Sequence, residues 1–151
     1  MIYGNADQTY DERQAVGINI GEELFIQWCA RHNWHPDRIG FDEKVSNVSN
    51  FYRLNPIIRN LPDYVINRDD KTFVVNVKGT NAIKRIERII LPKMIDCFSS
   101  EEAPLIYAFC IRNQSVKFVK AQEVISLYDQ EQDQQWNDGK IYRSIKLGRQ
   151  T

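Results

Sequence analysis

Residues 62–79 read PDYVINRDDKTFVVNVKG, and this stretch decides the fold. Asp63 to Asn67 and Thr72 to Lys78 are rich in Tyr, Val, Ile and Phe, which suit a pleated, half-covered surface. Between them, Arg68-Asp69-Asp70-Lys71 is polar and turn-forming. The pattern predicts a β-hairpin. Phe73 to Val77 is apolar except at Asn76, as a central strand covered on both faces should be. Gly79 ends this strand. Side chains alternate along it, so Asn76 and Lys78 point to one face. In an antiparallel hairpin the start of the first strand lies beside the end of the second. Asp63, directly after Pro62, is therefore expected close to Asn76 and Lys78 although twelve residues separate it from Asn76.

Upstream of the hairpin, Ile18, Leu24, Phe25, Trp28 and Cys29 fall at helical spacing, with Asn19 or Gly21 as the start and His32-Asn33 as the end. Met1 to Gln14 reads as a polar lead-in, and His35-Pro36-Asp37 as a turn. Arg38 to Val48 suits an extended segment, and Ser49 to Leu61 a short helix within a long connection. Downstream, Ile83, Ile86, Ile89 and Ile90 recur at helical spacing up to Leu91, where Pro92 kinks the helix or opens a turn from Lys93 to Phe98. Leu105–Ile111 and Val116–Val119 read as strands around an Arg112-Asn113-Gln114 turn. Ala121–Tyr128 reads as a helix, and Lys140–Leu147 as a last strand after Asn137-Asp138-Gly139. The expected architecture is one α/β domain over residues 1–151, a mixed central sheet flanked by helices.

Composition sets the frame. The chain of 151 residues is 42% hydrophobic and 26% charged, a globular balance. The N-terminus has no apolar core of a secretory signal, and every apolar run, Ile89 to Leu91 among them, is far too short for a membrane span. A cytoplasmic protein with no membrane partner is expected. Cys29, Cys97 and Cys110 are odd in number and form no CxxC pair, which argues against a disulfide framework or thiolate zinc site. They read as small buried hydrophobes. Net charge is zero, which disfavours a non-specific nucleic-acid coat but leaves room for a local basic cleft.

The convergence of Asp63, Asn76 and Lys78 points to chemistry. A lysine beside an apolar strand is expensive to bury without a reason. Divalent magnesium prefers hard oxygen ligands and keeps several waters, so Asp63 and the oxygen of Asn76 suit it. The ion would polarise a phosphate and acidify a bound water. Lys78 would position that water or stabilise charge developing on the phosphate.

These residues resemble the PD-(D/E)XK nuclease superfamily. Pro62-Asp63, then Asn76-Val77-Lys78, is similar to its signature, and residues 62–79 resemble small YraN-like proteins and archaeal Holliday-junction resolvases. Gly21-Glu22-Glu23-Leu24-Phe25, with Cys29 and Asn33-Trp34 further on, looks like the family's Gly-Glu helix. The close resemblance covers residues 17–34 and 61–79. It implies a restriction-endonuclease-like core and a catalytic set of Glu22, Asp63, Asn76 and Lys78, with Glu23 as fallback for Glu22. Asp63, Asn76 and Glu22 would hold Mg2+ or Mn2+, and DNA would be the substrate, on branched or repair and recombination structures. The resolvase analogy extends to a homodimer. One departure stands out: the family usually has Asp or Glu where this chain has Asn76, so metal affinity should fall. The alternative is an inactive nuclease fold that binds nucleic acid or a protein partner, and a third reading is an interaction protein unrelated to nucleic acid.

Lys84, Arg85, Arg88 and Lys93 follow the central strand with Glu87 the one acid among residues 78–93. They are either a solvated helix face or phosphate contacts near the cleft. Arg53 and Arg59 are weaker candidates of the same kind. Ordinary structural roles also exist: Asp63 as a turn cap, Lys78 as an edge-strand gatekeeper, and Glu22 and Glu23 as helix-start carboxylates. His32 and His35 with Asp37 suit a surface role better than a metal site. Trp28 reads as core and Trp34 as cover for the helix end, while Trp136 sits in a polar loop.

Overall fold

The computed structural model describes residues 10–39 and 61–148, with side chains from Ile20 onward. Helix α1 runs from Tyr10 to Arg31. It begins well before Asn19, inside the expected lead-in. Residues 10–18 contain no proline, and their Glu, Arg, Gln and Ala favour helix. The end is as expected. Asn33 takes a left-handed conformation (φ 56°), and the Trp34 N–H reaches back to the Cys29 carbonyl at 2.9 Å, a Schellman end.

Strand β1, His35–Arg38, replaces the predicted turn and takes in Arg38, the first residue of the expected extended segment. Pro36 is tolerated because β1 is the sheet's edge, where a missing donor breaks no ladder. The remainder of that segment and the helix expected from Ser49 fall on residues 40–60, outside the described residues. The hairpin follows as predicted: β2, Tyr64–Arg68, pairs antiparallel with β3, Lys71–Lys78. Asp69 supplies the left-handed turn residue (φ 53°).

After Gly79, Ala82–Lys84 forms β4 rather than the start of a helix. Helix α2 spans Arg85–Phe98 and passes through Pro92. The proline is exposed, so the Arg88 carbonyl that loses its partner lies near solvent. Ile90, Leu91 and Met94 bury both halves of the helix in one core. Strand β5, Leu105–Phe109, lies parallel to β3, and β6, Lys117–Lys120, lies antiparallel to β5. Helix α3 covers Ala121–Asp129. The polar stretch then gives a short strand β7, Gln134–Gln135, which pairs with β8, Ile141–Ser144.

The main sheet has the order β1-β2-β3-β5-β6, mixed as expected, and β4-β8-β7 form a small second sheet. Helices cover both faces of the main sheet. On one face Val75, Val77, Ile66, Ile106 and Ala108 meet Phe25 and Cys29 of α1. On the other, Val74, Leu105, Tyr107 and Phe109 meet Leu91 and Met94 of α2 and Val124 and Tyr128 of α3. Two expectations change here. Cys97 is exposed, although Cys29 and Cys110 are buried. Lys78 is no edge gatekeeper, because β3 lies between β2 and β5. No helix among the described residues is long and apolar enough to cross a membrane.

Candidate active site

The strand directions bring one end of the sheet into focus. Strands β1, β3 and β5 finish there and β2 starts there, so Arg38, Asp63, Lys78 and Phe109 share one rim. In open α/β sheets the carboxyl ends of parallel strands are where ligands bind.

Asp63 sits one residue before β2. Its N–H donates to the Val75 carbonyl at 2.9 Å, and its Oδ2 accepts the Val77 N–H at 2.8 Å. Both bonds go to the β3 backbone, which fixes the carboxyl beside Asn76 and Lys78. Asn76 and Lys78 share the face of Val74, toward α2. Asn76 lies opposite Tyr107 in the parallel register, and its side chain hydrogen-bonds the Tyr107 hydroxyl. Burial, with the Glu87 and Asp63 charges adding, holds the Tyr107 hydroxyl far above the ordinary phenol range.

Glu22 arrives from the opposite layer. Gly21 packs on the backbone at the end of β3: a Cβ there would stand 2.8 Å from the Gly79 Cα and 2.9 Å from its nitrogen. That contact lays Glu22 at the rim, where its Oε1 accepts from Arg38. The fallback, Glu23, is exposed. Both glutamates lie deep within α1, so the helix-start role does not hold. Asp63 is pushed up to about 7, first by burial and then by the nearby Glu22 charge. The Val77 N–H, Arg38 and Lys78 pull the other way.

Lys78 is held from the α2 side. Its Nζ donates to Glu87 Oε1 at 2.8 Å, and the same oxygen accepts the Lys84 N–H at 3.2 Å. Burial would raise the Glu87 carboxyl, but the Lys78 and Lys84 charges and these hydrogen bonds outweigh it and hold it below its ordinary range. The structure thus adds three groups that the pattern did not single out: Arg38, Glu87 and Tyr107.

No family model and no curated protein matches the chain. The assignment of chemistry therefore rests on the site itself.

The corner offers two carboxylates and one amide, all hard oxygen donors, and among the described residues no group of three His, Cys, Asp or Glu forms a metal site. A buried carboxylate such as Asp63, whose proton affinity is raised by burial and by a neighbouring carboxylate, is a donor that a dication relieves. The basic candidates are spread more widely. Arg85 pairs with Asp133 at 2.5 Å and Arg88 with Asp129 at 3.1 Å, while Lys84 stands at the N-cap of α2. Lys93 is exposed on α2. Arg53 and Arg59 lie outside the described residues. His32 is exposed, stacks on Trp28 at 3.9 Å, and its Nδ1 lies 2.8 Å from the Trp28 carbonyl, as a surface role predicts.

Proposed function

We propose that the chain is a metal-dependent DNA endonuclease with a restriction-endonuclease-like core. The observation that carries this reading is the seat of Asp63 on the β3 backbone, at 2.8 Å from the Val77 nitrogen, between Asn76 and Lys78. Asp63, Glu22 and the Asn76 oxygen would hold magnesium or manganese, which would supply Lewis acidity to the phosphate and its water. Lys78 would face the phosphate being cut and stabilise the charge it gains. Glu22 and Lys78 each have an ion-pair partner, Arg38 and Glu87, that keeps a charged group in place at the rim.

The test is cleavage of branched, linear duplex and single-stranded DNA with magnesium or manganese, by the native chain and by Asp63→Ala and Lys78→Ala. Metal-dependent cutting that both substitutions abolish supports the reading; cutting that survives both sinks it. A second reading is an inactive nuclease fold that binds nucleic acid. The amide at position 76 favours it, because an amide oxygen brings no negative charge to a metal. That reading predicts no native cleavage and the appearance of cutting in Asn76→Asp.

A further inference from the structure

A cleft of about 770 Å³ opens beside the rim. Its wall begins at Gly79 and Thr80, immediately after Lys78, and continues through Arg112, Lys117 and Lys146. It therefore takes in the residues that follow β3 and β5, and Gly79 links it in the chain to Lys78. Among the described residues that line it, Glu131 is the one acid, against Arg112, Lys117 and Lys146. Lys117 donates to the Gly148 carbonyl at 2.9 Å, a neutral acceptor that leaves the ammonium charge uncompensated. Neither Lys117 nor Lys146 enters an ion pair among the described residues. The α2 face differs. There Arg85 and Arg88 are each held by an aspartate, and a paired cation has less charge to offer a phosphate.

We propose that this cleft, rather than the α2 face, seats the phosphodiester backbone of the nucleic-acid strand that reaches the Lys78 corner, with Lys117 and Lys146 as phosphate contacts. The polymer's identity rests on the nuclease reading; the choice of surface rests on the distribution of charge. Phosphate contacts position a strand without reading its bases, and each contributes to the salt dependence of binding.

The experiment is salt-titrated binding of a fluorescent single-stranded oligodeoxynucleotide in EDTA, where cleavage does not intervene. The native chain is compared with Lys117→Gln/Lys146→Gln, with Arg85→Gln/Arg88→Gln, and with Lys117→Arg/Lys146→Arg. The cleft pair should lose affinity and about 1.4 units of the log–log salt slope, at roughly 0.7 per phosphate contact on a single strand. The arginine pair should restore both, which a folding defect would not allow. The α2 pair should leave the slope unchanged. Loss of slope in the α2 pair with none in the cleft pair, or no salt-dependent binding at all, would overturn the proposal. Binding that needs Lys117 and Lys146 without any metal-dependent cleavage would keep the cleft and sink the nuclease reading. Cleavage with an unchanged KM in the cleft pair would do the reverse.

Discussion

Gly21 of α1 rests directly on Gly79 at the end of β3, closer than any side chain would permit. Two consequences follow from one contact: the helix is locked to the sheet's rim, and Glu22, the next residue, is delivered to the corner that holds Asp63. A Cβ at Gly21 would meet backbone, which cannot rotate away as a flexible side chain can. Gly21→Ala should therefore push α1 off the rim and cost about 1–3 kcal/mol, the usual range for overpacking. Urea denaturation measures the stability loss. The Glu22–Arg38 pair should separate as well, so metal-dependent activity should fall further than stability alone would cause.

Asp63 makes stability depend on pH in an unusual direction. Its ordinary value is 3.8 and burial raises it to about 7. The folded state thus holds a proton that the unfolded chain has released across that window. Stability from this group is complete below the ordinary value and is lost as pH rises toward the folded value. Asp63→Asn carries no such penalty, so its melting temperature should exceed the native one at pH 8 and match it near pH 4. Magnesium should raise the native melting temperature at pH 8 and leave Asp63→Asn unmoved. Thermal melts across pH, with and without the metal, measure both effects.

The Lys78–Glu87 pair is largely shielded, with side-chain exposures of 19% and 15%. Removing one partner of a sequestered pair strands the other charge, a loss of at most ~3–5 kcal/mol. Glu87→Gln and Lys78→Met should each destabilise, and the double variant should lose less than the sum. Because the Glu87 carboxyl is held below its ordinary 4.5, the pair's contribution is complete above that value. It fades as pH falls through the lowered folded one. Chemical denaturation of the cycle at neutral and acid pH checks the coupling.

Much of this corner is legible in residues 62–79, because hairpin register and strand alternation place Asp63, Asn76 and Lys78 together without tertiary information. Glu87 is not legible in the same way. It reads as the odd acid in a basic run until the helix start at Lys84 is known, and the short strand β4 hides that start. Arg38 is similarly obscured: Pro36 suggests a turn, and only an edge position makes a strand of it. Trp136 has no visible purpose in a polar stretch, yet it is buried and stacks on Tyr142 at 4.3 Å across the β7–β8 pair. Such contacts depend on which distant strand arrives alongside, and local patterns do not carry that.

Pro92 interrupts the backbone ladder of α2 without breaking the helix. In a helix interior proline is ~3 kcal/mol less favourable than alanine, and its restriction of the unfolded chain returns up to ~1 kcal/mol. The ring is exposed, so Pro92→Ala leaves no cavity. The variant should be more stable by about 1–2 kcal/mol in urea denaturation.

The most direct measurement is manganese binding at the corner, followed by electron paramagnetic resonance on the native chain, Asn76→Asp and Asp63→Asn. The native chain should bind saturably, with about tenfold tighter binding when a carboxylate replaces the amide at position 76, and Asp63→Asn should lose binding. Equal affinity in all three would place the ion elsewhere and contradict a metal site at the end of β3.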